Sequence, residues 1–299
     1  MIIQLEAAAV GRPITRAGVS FFPVYIHQPA ITLGASGAGE MQITEHPGAV
    51  VPSLRIENHG PVPVLLVEGE TVIGGNQNRV INVSVLVPAR SGVDIPVSCV
   101  EQGRWGGGSD FSRSRTFATR RIRRAKQVGV SRSVREQGLK RSDQGAVWAS
   151  VEHELDRLGV HSPTNRFDQA DEVLERDQAS AAAVELLVRR GPLPGQCGIA
   201  VSHGSRVVAA DVFATPELLA TRWEALVRGQ LLDVPHVVRS SPSATNALRF
   251  LRRLGSATSD IVPGVGLGNE HHVRHRRLIG QALVWDDALV HASAFALAA

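Results

Sequence analysis

The sequence predicts an α+β protein: an N-terminal antiparallel β-sandwich-like sheet, then helices, then a C-terminal α+β part. Three observations predict it. The first 105 residues carry short β-branched and aromatic runs bounded by Gly, Pro or Asn. From residue 143 the apolar spacing becomes helical, with Val147, Val151, Leu155 and Leu158 on one face. The last third mixes both patterns.

Taken in order, Phe21 to Ile26 is the first strand. Ile56 to Asn58 leads into a His59-Gly60-Pro61 turn. Val62 to Val67, Val80 to Val87 and Val93 to Val100 are three further strands. Helices follow from Asp143 to Leu158 and from Ala170 to Arg189. Gly198 to Ser202 and Arg206 to Phe213 flank His203-Gly204-Ser205 as a hairpin. Pro216 to Arg228 is a helix with Thr215 as N-cap, Pro216 at its first position and Gly229 after it. Asn246 to Leu254 is a shorter helix, and Leu278 to Trp285 and Ala288 to Phe295 form a hairpin across Asp286-Asp287. The expected division is 1–110 as a β-rich part with a polar pocket, 111–142 as an Arg-rich linker or lid, and 143–299 as a helical and α+β part packed with the first.

Composition sets the class. Of 299 residues 43% are hydrophobic and 20% charged, which suits a globular chain with a sizeable core. No apolar run is long enough to span a bilayer, and the N-terminal residues lack a secretory pattern. Two cysteines, Cys99 and Cys197, make no disulfide framework and too few ligands for a Cys-based zinc site. These features lead us to expect a cytoplasmic protein with reduced thiols and no membrane partner. The net charge of +4 permits phosphate-bearing ligands without demanding them.

Val67 to Trp105 is the densest patch of unusual residues. Strand alternation puts Val64, Leu66, Glu68 and Glu70 on one face of Val62 to Glu70, and Glu101 in phase with Ile95, Val97 and Cys99. Buried carboxylates need partners, and Arg79 and Arg104 are near in sequence. One reading is a pocket of Glu68, Glu70, Gln77, Asn78, Arg79, Glu101 and Arg104 walled by Trp105. Glu68 and Glu101 would then do any acid–base work, and the remaining residues would bind a small phosphorylated or nucleotide-like ligand. The other reading is an ion-pair cluster that fixes a Gly-rich loop. Cys99 is in phase with core residues, so we expect a buried thiol and not a nucleophile.

These same residues carry a resemblance. VLLVEGETVIGGNQNRVINVSVLVPARS, IPVSCVEQGRW, QGAVW (Gln144 to Trp148) and LVHASAF (Leu289 to Phe295) resemble ARPP, the ADP-ribosylglycohydrolase- and rhodanese-phosphatase-associated family. The likeness runs from about Leu54 onward. It implies a link to ADP-ribose and phosphoester metabolism, and it transfers no catalytic residue or cofactor.

The stretch from Arg113 to Arg141 has eleven Arg or Lys against one acid, Glu136. A solvated surface, a lid over an anionic ligand and a nucleic-acid contact all remain open. The thin aromatic support, Phe111 and Phe117, makes nucleic acid the weaker partner. Glu270 leads into His271-His272-Val273-Arg274-His275, where the neighbouring Arg274, Arg276 and Arg277 would repel a metal ion. His291 is expected as a core-rim histidine bonded to a backbone carbonyl. Val262 to Glu270, with Gly264, Gly266 and Gly268, is read as a turn-rich loop.

Overall fold

The computed structural model describes residues 1–34, 41–48, 51–104, 106–234, 238 and 240–297. The chain begins with α1 (Ile3–Glu6), β1 (Ala9–Val10), β2 (Ile14–Arg16), β3 (Val19–Tyr25), β4 (Met41–Thr44), β5 (Ser53–Asn58) and β6 (Val64–Leu66). It continues with β7 (Thr71–Gly74), β8 (Arg79–Ile81), β9 (Val85–Val87), β10 (Ser91–Cys99) and β11 (Phe111–Arg113). The helices α2 (Arg120–Gln137), α3 (Gln144–Leu158), α4 (Asp171–Arg176) and α5 (Gln178–Arg190) follow. Next come β12 (Gly198–His203), β13 (Arg206–Phe213), α6 (Pro216–Ala220), α7 (Trp223–Leu231) and α8 (Ala244–Ser256). The last strands are β14 (Ser259–Pro263), β15 (Asn269–His275), β16 (Leu278–Trp285) and β17 (Ala288–Ala296). The fold class is α+β, with an N-terminal antiparallel sheet, helices and a C-terminal strand region.

Two larger sheets carry the fold. One has nine strands in the order β1-β3-β12-β13-β17-β16-β15-β14, with β2 also on β3. The other has six, β11-β7-β8-β10-β5-β4, and β6 pairs β9 as a separate ribbon. Strand β3 joins the C-terminal sheet, with Phe22 opposite Ala200. Sheet membership therefore crosses the division drawn at residue 110, because strand propensity says nothing about which strand will be the partner.

The nine-stranded sheet is covered on both faces. Ile2, Leu5 of α1, and Phe250, Leu251 and Leu254 of α8 pack on one face against Phe22, Val24 and Ala292. Ile122 of α2, Leu226 of α7 and Leu65 of β6 belong to the core on the other, with Phe21, Val290 and Phe295. Double cover explains why β17 is buried at every position. The six-stranded sheet has its own core, to which α2 adds Val130 and Val134. Helix α2 thus bridges the two units, and its Arg123 and Lys126 are buried between them.

Several expected elements are interrupted. Val80 to Val87 breaks into β8 and β9. Residues 170–189 break at Asp177, whose carboxylate accepts from Ser180 N and caps α5. Thr215 and Pro216 do start α6, but it ends at Ala220 and α7 begins at Trp223. Gly229 lies inside α7, where a Cβ would sit 2.7 Å from the Phe117 carbonyl. The terminal hairpin turns on Asp286 and Asp287, both at positive φ. No helix among the described residues is long and apolar enough to cross a membrane.

Candidate functional site

The Glu68-Gly69-Glu70 turn is the first place where charge meets the interior. Strand β6 ends at Leu66, so the alternation through Glu70 does not continue and the two carboxylates take different directions. Glu68 accepts from Arg123 Nη2 at 2.6 Å and from Lys126 Nζ at 2.6 Å. Glu70 accepts from Arg222 Nε at 3.1 Å, at the start of α7. Gly69, at φ +85°, lets Arg123 pass: a Cβ there would lie 2.3 Å from its Nε. The turn therefore locks β6 to both α2 and α7. This corrects the expectation that Glu68 pairs with Arg79 or Arg104, which rested on sequence proximity.

Around Glu68 the network is closed. Arg123 also holds Asp211 of β13 through Nη2 at 2.5 Å and Nη1 at 3.1 Å, and lies 4.8 Å from the centre of the Phe295 ring. Lys126 completes its shell with the carbonyls of Ile81 and Asn82. Burial pushes Asp211 up, but Arg123 and His291 outweigh it and hold it at about 2. Burial likewise opposes ionisation of Glu68, and Arg123 and Lys126 prevail to keep its pKa lowered.

His291 Nε2 is 3.6 Å from Asp211 Oδ1, and its Nδ1 meets Ser84 Oγ at 2.8 Å. A serine, a histidine and an aspartate in that order suggest nucleophile chemistry, yet all three are at most 2% exposed. A reacting carbonyl has no room beside Ser84, so the trio serves as a buried polar network. His291 is thus fully interior and bonded to a side chain, in place of the expected rim position and backbone carbonyl.

The loop motifs form a second cluster. Glu101 is buried as expected and accepts from Arg104 Nη2 at 2.9 Å, Arg104 Nε at 3.0 Å and Asn78 N at 3.1 Å. Arg104 also donates to the carbonyls of Gly74, Gly75 and Gly106 and to Asn78 Oδ1. Its donors are spent on pinning the Gly74–Asn78 loop, where Gly74 at φ +135° brings its backbone against the Asp110 carbonyl. Asn78 also reaches Asp168 at 2.9 Å, and Arg166 grips the same carboxylate. Arg79 is buried and donates to the Gln77 carbonyl at 2.8 Å, with Glu45 at 3.5 Å. Glu68, Glu70 and Glu101 thus belong to three different ion-pair sets. Trp105 lies outside the described residues.

Cys99 is buried and donates to the Glu101 carbonyl, and burial raises its pKa. It is a core thiol, as its phase in the strand implies. In β15, His272 is buried against Glu270 at 3.1 Å, and Lys140 reaches the other oxygen of Glu270 at 2.8 Å. Among the described residues no group of three or more His, Cys, Asp or Glu is placed to hold a metal ion.

The residues with free charge lie elsewhere. A basin of about 590 Å³ opens beside α8, lined by Arg206, Arg249, Arg253, Arg276 and Arg277 with no Asp or Glu among the described residues. Amphipathicity builds it: α8 buries Ala247, Phe250, Leu251 and Leu254 and turns Arg249 and Arg253 outward at i, i+4. The tight β15–β16 turn places Arg276 and Arg277 across from them, and Arg206 opens β13. Arg274, one strand position earlier, pairs with Asp260 at 3.2 Å; the five basin arginines make no ion pair among the described residues. Burial and then the charges of Arg277, Arg249 and Arg276 all pull the Arg253 pKa down.

Reading motifs for density missed Arg206, Arg249 and Arg253. A usable signal was present: α8, ATNALRFLRRLGS, contains no acid to pair its arginines. The region 113–141 gave the opposite impression. Its arginines include Arg123, which is buried and fully paired, so a basic count alone does not locate available charge.

No curated protein and no solved structure matches the chain. The motif strings quoted above do have a family counterpart, and it extends upstream of Leu54 to take in the first strands. Residues 7–295 match the model of the ARG and Rhodanese-Phosphatase-superfamily-associated Protein domain, ARPP-1, and the chain belongs to that family.

Proposed function

We propose that the protein binds a phosphorylated, nucleotide-like small molecule in the α8 basin. One observation supports this reading: five arginines converge on a concave space whose described lining residues include no Asp or Glu. Arginine forks match phosphate oxygens bidentately, and unpaired like charges in a concavity favour an anion. The volume suits a small-molecule site. In this reading Arg79 and Arg104 have a different task, holding the Gly74–Asn78 loop, and the interior carboxylates stay locked in ion pairs.

Thermal unfolding of the full chain with ADP-ribose or inorganic pyrophosphate tests it. Ligand at a hundredfold excess over Kd stabilises by about 2.7 kcal/mol. With an unfolding entropy of about 0.6 kcal/mol/K for a chain this long, Tm rises by about 4 °C. Arg253→Gln with Arg277→Gln removes the rise. An unchanged rise in that double variant places the ligand elsewhere, and no rise with any phosphorylated compound removes the reading.

A further inference from the structure

We infer that the basin takes a ligand carrying three or more consecutive phosphates, in preference to a single phosphoryl group or the doubly esterified pair of a dinucleotide-like compound. This rests on the basin being a phosphate site, and it narrows what that site selects.

Charge supplies the first reason. One phosphoryl group carries about −1.5 to −2 at neutral pH, and each further phosphate in a chain adds roughly one more. A monophosphate, or a diphosphate esterified at both ends, leaves about three of the five arginines uncompensated. A triphosphate end leaves about one.

Donor geometry supplies the second. The side chains of Arg253, Arg276 and Arg277 make no hydrogen bond or ion pair among the described residues, so their forks stand open. Arg249 is already oriented, since its Nη1 donates to Asn246 Oδ1 at 3.1 Å and Asn246 Nδ2 is tied to the Ser205 carbonyl at 2.8 Å. Each fork engages two oxygens, so four or five forks exceed what one phosphate presents.

Placement supplies the third. The arginines come from three separate elements, α8, the β15–β16 turn and the start of β13, across a space of about 590 Å³. A compact anion satisfies one wall at a time; a linear chain reaches from the α8 wall to the turn.

Calorimetric titration of the full chain, at fixed salt and with divalent cations chelated, tests this with tripolyphosphate, ATP, ADP-ribose, orthophosphate and a 20-nucleotide single strand. Tripolyphosphate and ATP are expected to bind at least tenfold more tightly than ADP-ribose or orthophosphate. In Arg276→Gln/Arg277→Gln, whose changes fall in an exposed turn, that advantage is lost. Equal affinity for ATP and tripolyphosphate supports recognition of the chain alone, and a gain for ATP supports a nucleoside triphosphate. If ADP-ribose binds as tightly as tripolyphosphate, the polyphosphate preference is wrong while the phosphorylated-ligand reading stands. If no small probe binds, both are wrong. Tighter binding of the oligonucleotide than of ATP makes the basin a nucleic-acid surface and overturns the inference, as does a double variant that binds tripolyphosphate undiminished.

Discussion

Arg123→Met removes the cation that joins Glu68 to Asp211 while keeping a long apolar stem against Phe295. In the native protein Arg123 neutralises two carboxylates in an interior where all three groups are 0% exposed. Breaking a buried ion pair by deleting one partner costs about 3–5 kcal/mol, because the other charge is left uncompensated. Lys126 still serves Glu68 and His291 still faces Asp211, so a value near 4 kcal/mol is expected. An entropy of about 2.1 cal/mol/K per residue gives about 0.6 kcal/mol/K for this chain, and Tm falls by about 6–7 °C.

The pH dependence sharpens the test. Asp211 is held at about 2 against an ordinary 3.8, so its contribution is in place above about pH 4 and is lost as pH falls towards 2. Glu68 acts in the same direction. Without Arg123, burial opposes ionisation of Asp211 while Glu68 keeps Lys126, so the variant loses stability as pH rises. The stability gap between the two proteins therefore widens from pH 4 to pH 8. Thermal denaturation by circular dichroism across that range measures it. The double variant Arg123→Met, Asp211→Asn should be less destabilised than Arg123→Met alone, because Glu68 keeps Lys126 and no carboxylate is stranded. A gap below about 1 kcal/mol, or one that does not change with pH, refutes the role given to Arg123.

Gly69→Ala forces a β-carbon into Arg123 at positive φ and should cost at least about 2 kcal/mol, read as a Tm drop of 3 °C or more. Arg104→Gln should cost about 2–3 kcal/mol and raise hydrogen exchange selectively at residues 74–78, since those carbonyls lose their donor; uniform exchange would contradict the clamp. Neither Cys99 nor Cys197 should react with a thiol reagent in the native protein at pH 8, because burial raises both pKa values, whereas both react on unfolding. Asp143→Ala should remove the α3 N-cap bond to Ala146 and about 1 kcal/mol, a Tm change near 2 °C.

Local signals in the sequence were reliable where the physics is local. Helical spacing from Val147 to Leu158, the Thr215-Pro216 start and the Asp286-Asp287 hairpin all depend on neighbours in the chain. Burial of Glu68, Glu70 and Glu101 was legible too, because a carboxylate in phase with an apolar row, or next to one, enters the interior. The partners of Glu68 and Glu70 were not. Arg123 lies 55 residues from Glu68, and Arg222 lies 152 from Glu70, so neither pairing leaves a trace in local spacing. The Glu101–Arg104 pair, close in sequence, is present as expected, and Arg104 also donates to the carbonyls of Gly74, Gly75 and Gly106. The basin escaped notice for a related reason. Its arginines are scattered from 206 to 277, and only the absence of acids on α8 marked them.

The most direct measurement is arginine footprinting. The native full chain is treated with phenylglyoxal, with and without saturating inorganic pyrophosphate or tripolyphosphate, and modified sites are mapped by mass spectrometry. A phosphate held in the basin predicts that Arg249, Arg253, Arg276 and Arg277 react freely alone and are protected together by ligand, while Arg104 and Arg166 are unchanged. Protection confined to Arg104 and Arg166, or equal modification of the basin arginines in both conditions, would contradict it.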